Sequence, residues 1–416
     1  MRVTITALRS ISPCQKRACL MRCLAILLLT TMCPAHVLLA GDLAVDSDFS
    51  SGSAKVIEID QKNRIIRIEP EANPERGWEC WWYMQVTGIE PGETITIDVG
   101  SAPWATPNQA AVSSDNRTWQ QSSAGKRDGK RIAYQHKAES ETCWFAWGPP
   151  FTVEDAQRLV DQSAKNSPHV TSFELCQTRA GRTVPALRVK EEGVPDEQRK
   201  GIWIQARQHA WESGSSWVSR GFVQWLLSDD PRATTLRQKS LITIVPVMDI
   251  DNVAIGAGGK NQIPQDHNRD WSDKPHWNSV KVAQQQILEQ DKAGQFDLFV
   301  DLHNPDAGAK NPYFYTTTSD YLSEEGNRNL QHFLATSRLE ITGPLAFKGE
   351  TRESGPSYDK NWTQISKNWV TKNTTKGVVA VTLETAWNTP HSNQEGYMTV
   401  GHQLGLAIER YFRTMP

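Results

Sequence analysis

His209 and Glu212 stand three residues apart where an alternating run, IWIQA at residues 202–206, gives way to SGSS at residues 213–216 and then to a periodic apolar stretch. The first pattern predicts a short, mostly buried strand and the second a helix, with Ser215 or Ser216 as its N-cap. An imidazole and a carboxylate at such a junction can converge on one cation. Nitrogen and oxygen donors with one position left open suit catalytic zinc. Two further apolar runs end in groups of the same kind: FDLFVDLH, residues 296–303, closes on His303, and VVAVTLE, residues 378–384, closes on Glu384. Polar groups at strand termini fit the ligand-binding edge of an open α/β sheet. Singly, each also has a plainer reading, as a helix start at Glu212, a core histidine at His303 and a surface carboxylate at Glu384.

Between the first two runs lies DHNRDW, residues 266–271, preceded by the strand-like LITIVP at residues 241–246. With these motifs in this order the chain resembles the zinc metallocarboxypeptidases, and most closely their cytosolic-carboxypeptidase-like branch, whose pattern is H-x-x-E, N-P-D-G-V, D-L-N-R-N, a late H and then E. The resemblance covers roughly residues 165–416. It implies one zinc ion per chain with His209, Glu212 and His303 as ligands, Asn268 and Arg269 as binders of the substrate's terminal carboxylate, and Glu384 as general base toward metal-activated water. The planar fork of Arg269 suits bidentate capture of a carboxylate. The implied reaction is hydrolysis of the C-terminal amide bond of a peptide.

The chain departs from the pattern at one place. Where the family has N-P-D-G-V and then an arginine that stabilises the oxyanion, this sequence reads MDIDNV at residues 248–253, and the arginine's ungapped position is Gly259, beside Lys260. Lys260 is the nearest cation to take over that role, with Arg352 as the next candidate. The family's tyrosine that folds over the substrate corresponds best to Tyr358, with Tyr313 and Tyr315 in competition.

The elements that must position these residues form an α/β catalytic domain over residues 153–416, expected as a metallocarboxypeptidase-type α/β/α sandwich with a mixed sheet. Its segment from His303 to Gly377 reads as loop-rich and as a wall of the cleft. Residues 41–152 alternate apolar and polar residues between Asn-Pro, Pro-Gly and Asp-Gly breaks, which predicts an antiparallel β-sandwich domain. SSDNRTW at residues 113–119 and WFAWGPPFT at residues 144–152 resemble the amino-terminal domain of cytosolic carboxypeptidases. Its tryptophans, Trp78, Trp81, Trp82, Trp104, Trp119, Trp144 and Trp147, are expected mostly in the core and the domain junction, with a carbohydrate-binding platform as the alternative.

Residues 1–40 carry five basic side chains, no acid and the apolar run CLAILLLTT at residues 23–31. That is the pattern of a secretory signal peptide, too short for a membrane span. Export to the periplasm or the extracellular space is therefore expected. Removing those five charges from a formal net of -2 leaves -7, which argues against nucleic acid or an anionic membrane surface as a partner. No stable membrane association is expected. Beyond the leader the cysteines are Cys80, Cys143 and Cys176; Cys80 and Cys143 are either a disulfide or, with Cys176, buried thiols. Besides peptides, the same machinery suits an amidase on peptidoglycan stem peptides or N-acyl amino acids. A reading of another class is a non-catalytic glycan- or peptide-binding pseudoenzyme.

Overall fold

In the computed structural model, which describes residues 41–192 and 194–415, the alternating runs of the first domain pair into two five-stranded sheets. One runs β1 (Ala44–Asp46), β4 (Tyr83–Thr87), β10 (Thr142–Ala146), β6 (Ala111–Ser113) and β7 (Gln120–Gln121); the other runs β2 (Lys55–Asp60), β3 (Ile65–Glu69), β5 (Thr94–Val99), β9 (Arg131–Lys137) and β8 (Lys126–Asp128). Ile66, Ile68, Ile95 and Ile97 of the second sheet share a core with Met84, Val86 and Phe145 of the first, as period-2 patterning requires. All neighbours are antiparallel except β3 and β5, which run parallel because the chain lays β4 into the other sheet between them. Residues 1–40, where a signal peptide is expected, lie outside the described residues.

Thr152 then caps α1 (Val153–Asn166) in a reciprocal capping box with Asp155. The second domain is an eight-stranded mixed sheet in the order β11 (Val170–Gln177), β12 (Thr183–Val189), β14 (Ser240–Val245), β13 (Lys200–Ala206), β15 (Leu298–His303), β18 (Val379–Glu384), β16 (Tyr313–Thr316) and β17 (Thr351–Glu353). Packed with it are α2 (Ser213–Leu226), α3 (Pro231–Lys239), α4 (Ile250–Ala254), α5 (Asn278–Lys292), α6 (Glu324–Glu340), α7 (Ser366–Asn373) and α8 (Gln394–Arg413). The four central strands β14, β13, β15 and β18 are parallel and wholly or nearly wholly buried. Near-continuous apolar runs are what strands covered on both faces require. Their carboxyl ends therefore reach one edge together, and His303 lies directly opposite Glu384 in the ladder.

Two local expectations need correction. Neither Ser215 nor Ser216 is the N-cap of α2: the helix starts at Ser213 with Glu212 in the capping position, and the Ser215 hydroxyl donates back to the Glu212 carbonyl at 2.8 Å. Nor is the stretch between His303 and Gly377 mainly loop, because the seventeen-residue α6 interrupts it. Ser323 caps that helix, and Leu330 and Phe333 bury its inner face.

The two domains pack as one unit through aromatic rings. Trp147 lies 6.1 Å from Trp81, 5.0 Å from Trp211 and 4.7 Å from Trp387, centroid to centroid, so a single cluster spans the junction. Trp81, Trp82, Trp119 and Trp147 are buried, in keeping with core and junction roles, whereas Trp104 is 53% exposed. Cys80, Cys143 and Cys176 are free thiols, the first two buried. Among the described residues no helix is long and apolar enough to cross a membrane.

Candidate metal centre and substrate cleft

His209 leaves the end of β13, Glu212 heads α2 and His303 ends β15, and one ligand atom from each lies within 4.8 Å of the other two. All three side chains are buried. The Glu212 carboxylate sits between the rings, with Oε1 2.8 Å from His209 Nδ1 and Oε2 2.7 Å from His303 Nδ1. Burial alone would raise the Glu212 carboxyl, but the two imidazoles hold it well below the usual carboxylate range. That contact also explains the N-cap: a side chain turned toward both histidines cannot fold back on its own helix.

Each histidine meets a further carboxylate on its other nitrogen. His303 Nε2 is 3.1 Å from Asp301 Oδ2, and His209 Nε2 is 3.8 Å from Asp266 Oδ1. Asp301 is fully buried and its Oδ2 also accepts from Ser366 Oγ at 2.6 Å and from Gln208. At hydrogen-bond distance Asp301 fixes which ring nitrogen of His303 faces a metal, whereas Asp266, at 3.8 Å, acts on His209 through its charge. Against the opposing pull of burial, Asp301 and Glu212 raise the pKa of His303 well above the usual histidine value. The sequence reading missed both outer carboxylates, although each stands two residues before a group it did single out, Asn268 and His303.

Glu384 is buried beside them, and its Oε2 has no hydrogen-bond partner among the described residues. Burial pushes its carboxyl up to about 8, opposed by His303. An orphaned buried carboxylate oxygen is costly unless something outside the protein meets it. Two imidazole nitrogens and a carboxylate converging beside that oxygen form a donor set that fits zinc with an open position.

One cavity of about 340 Å³ joins these groups to Asn268, Arg269, Lys260, Tyr315, Tyr358 and Lys367. Asn268 spends its oxygen on the Ser366 backbone N–H at 3.0 Å and holds its amide nitrogen 3.4 Å from His303 Nε2. Arg269 donates from Nε to Asp359 at 2.7 Å and from Nη1 to the Asn268 carbonyl at 2.9 Å, which leaves Nη2 without a protein partner among the described residues. The guanidinium is thus held by its edges with the Nη2 amino group still free. Tyr358 lies on the rim, 46% exposed, its ring 5.8 Å from the Arg269 carbon and 5.2 Å from Tyr315. Tyr313, by contrast, is buried beneath Arg352.

The departure around Gly259 has a steric basis. Gly259 has φ +79°, and a Cβ built there would come within 2.6 Å of Asp249 Oδ2 and 2.7 Å of the Ala210 nitrogen. Its neighbour Gly258 has the Trp78 carbonyl 2.0 Å from where a Cβ would sit. The β domain presses backbone against backbone here, with Trp78 N–H donating to the Lys260 carbonyl at 3.0 Å and Gly259 N–H to that of Arg76 at 2.8 Å. No arginine fits at 259 in this arrangement. Lys260 projects instead into the cleft, its Nζ 3.5 Å from His209 Nε2 and 5.5 Å from the centre of the Trp78 ring. Arg352 is not a free cation: it pairs with Asp306 and Glu350 and covers the Tyr313 ring at 3.9 Å.

Comparison with known proteins agrees with this architecture. Residues 156–409 match the zinc carboxypeptidase family, and residues 45–147 match the cytosolic carboxypeptidase N-terminal domain. An uncharacterized protein of Zymomonas mobilis is 28% identical over 271 residues, covering 64% of this chain and 68% of its own length. Human cytosolic carboxypeptidase 1 is 24% identical over 280 residues, 55% of this chain but only 22% of its own length. In three dimensions the chain is similar to a metallo-carboxypeptidase from Burkholderia cenocepacia, with a TM-score of 0.76 at 22% identity over 90% of this chain and 99% of the other. A metallo-carboxypeptidase from Pseudomonas aeruginosa gives 0.74 at 22% identity over 89% and 99%. The likeness in fold thus spans both domains, and with the family match over residues 156–409 the chain belongs to the zinc carboxypeptidase family of hydrolases, carrying a cytosolic carboxypeptidase N-terminal domain ahead of its catalytic one.

Proposed function

We propose that this protein is a zinc-dependent carboxypeptidase that releases the last residue of peptides with a free C-terminal carboxylate. The observation that carries the reading is the grouping of the His209, Glu212 and His303 donors, the unpartnered Glu384 oxygen and the free Nη2 of Arg269 around one cavity. Zinc bound by the three donors would supply Lewis acidity and an activated water near neutral pH. Glu384 takes the proton as the water oxygen bonds to the scissile carbonyl carbon, and returns it to the nitrogen as the carbon–nitrogen bond breaks. To accept that proton Glu384 must start as the carboxylate, and the charge of bound zinc would oppose the upward push that burial gives its carboxyl.

Arg269, aided by the Asn268 amide, binds the terminal carboxylate and so sets the last amide bond over the triad. Lys260 replaces the family's arginine at the developing oxyanion, as a point charge with less directional hold than a guanidinium fork. Tyr358 covers the bound end of the substrate from the rim. The leader in the sequence supports action outside the cytoplasm, where free peptides and wall-derived peptides are both substrates to try; a mature chain beginning near residue 41 on N-terminal sequencing tests that placement.

The test of the reading is amino-acid release from peptides by zinc-stripped and zinc-restored protein, with muropeptides in parallel. Release that is lost on stripping and returns with zinc supports it. Binding without release, in either metal state, would instead favour a pseudoenzyme.

A further inference from the structure

Trp104 is the large apolar side chain of the β domain that reaches the cleft while staying more than half exposed. Its neighbours do not share that exposure: Ala102 and Ala105 on either side are buried. The turn that presents it is anchored at several points. Arg127 donates to the Pro103 carbonyl at 3.1 Å and to the Thr106 carbonyl at 2.7 Å, the Thr106 hydroxyl donates to the Ala102 carbonyl at 2.6 Å, and the Trp147 indole donates to the Ala105 carbonyl. The ring is therefore a fixed surface. Its edge meets Trp78 at 4.8 Å between centroids, and Trp78 in turn lies 6.2 Å from Trp211, the residue next to Glu212.

The cavity consequently has two unlike halves. Arg269, Tyr358, Ser354 and Lys367 line one; Trp78, Trp104, Trp211, Pro305 and Ala307 line the other, with Asp306 its one carboxylate and the Lys260 ammonium 5.5 Å from the Trp78 ring centre. The donor triad touches both: Trp211 adjoins Glu212 in the chain, and Asn268, next to Arg269, lies 3.4 Å from His303 Nε2. A peptide whose terminal carboxylate is held on the Arg269 side and whose scissile carbonyl sits at the triad must direct its preceding residue toward the aromatic half. Sugar recognition by a tryptophan needs polar side chains beside the ring to satisfy hydroxyls; the cation near these rings, Lys260, has its Nζ 3.5 Å from His209 Nε2 and so belongs to the metal centre.

Resting on the carboxypeptidase reading above, we propose that the β domain builds a subsite from Trp104 and Trp78 that selects peptides with a bulky apolar or aromatic side chain at the penultimate position. The amino-terminal domain is then part of the specificity machinery of the enzyme, and Trp104 is its determining residue.

The test uses N-acetyl dipeptides that share one C-terminal residue and carry alanine, leucine or phenylalanine before it. Both kcat/KM on zinc-loaded enzyme and calorimetric binding to the same protein are measured for wild type, Trp104→Ala and Trp104→Phe. The wild type should prefer phenylalanine to alanine by about three- to tenfold in both readouts, the scale of one aromatic contact. Trp104→Ala should lose that ratio while keeping its zinc and its melting temperature, and Trp104→Phe should retain most of it. An unchanged ratio in Trp104→Ala overturns the subsite, as does a Trp104→Ala defect confined to sugar-bearing muropeptides. If binding shows the preference but no peptide is cleaved, the subsite stands and the carboxypeptidase reading falls.

Discussion

Replacing Asp301 by asparagine asks whether the triad is a tuned metal site or only a cluster of buried polar groups. Asp301 is fully buried, and its Oδ2 faces three donors: His303 Nε2 at 3.1 Å, Ser366 Oγ at 2.6 Å and Gln208 Nε2. Asparagine keeps an oxygen for those donors and nearly the same volume, so the losses are the negative charge behind His303 and the long 3.4 Å contact in which Gln205 Nε2 donates to Asp301 Oδ1. Outer-shell changes of this kind cost about 10- to 100-fold in metal affinity, or roughly 1.4–2.7 kcal/mol. Asp301→Ala is the contrasting control, because it strands four buried donors, Gln205 Nε2 among them, at about 1–3 kcal/mol each and should destabilise the fold itself by several kcal/mol. The assay is competition for zinc against a chelator of known affinity, with thermal melting of the metal-free proteins alongside. Asp301→Asn should melt near wild type yet hold zinc 10- to 100-fold more weakly. Zinc affinity within about threefold of wild type in a well-folded Asp301→Asn protein would refute the argument that Asp301 orients and strengthens His303 as a ligand.

Three further outcomes follow from the same geometry. His303 is flanked by Glu212 and Asp301, which raise its pKa well above the usual value, so at neutral pH the metal-free protein carries a proton that zinc must displace. Below that pKa the proton competes and above it does not. Zinc affinity should therefore climb with pH upward from the ordinary histidine range, with proton release visible by calorimetry in buffers of different ionisation enthalpy; uptake at pH 7 without release would contradict it. Lys260→Ala should lower turnover by about 100- to 1000-fold with zinc retained, the cost of one lost oxyanion donor, and undiminished kcat would assign that role elsewhere. Gly259→Ala places a Cβ in a left-handed backbone against Asp249 Oδ2 and the Ala210 nitrogen, costing roughly 2–5 kcal/mol and lowering the melting temperature by about 3–6 °C. A melting temperature within 1 °C of wild type, measured on about the same scan, would show that the loop yields.

The site was legible where chemistry and periodicity coincide. His303 and Glu384 close strongly apolar runs, and parallel pairing of those runs sets them side by side in the ladder. Asp301 and Asp266 were less visible because an acid inside a strand or before a turn has no period of its own; only the fold shows which histidine each one faces. The N-cap of α2 went astray for a related reason: serine is the better capping residue in general, but Glu212 takes that place with its carboxylate committed to two histidines. Composition counted the tryptophans correctly as mainly core. It gave no means of separating Trp104 from the rest, since exposure depends on a turn held by Arg127 and Trp147 from elsewhere in the domain. The missing arginine was visible as glycine, while the reason for it, a β-domain backbone pressed onto residues 258–260, lay in a contact far apart in sequence.

The central claim is that Arg269 holds a free terminal carboxylate while the triad and Glu384 cleave the adjacent amide. The most direct measurement compares kcat/KM of the zinc-loaded enzyme on one good peptide with that on the same peptide amidated at its C-terminus. Loss of a charge-assisted contact with the free Nη2 of Arg269 removes about 1.5–3 kcal/mol, so the amidated peptide should be cleaved at least about tenfold more slowly. Equal cleavage of the two would contradict the account, making the enzyme an endopeptidase and leaving Arg269 to serve another purpose.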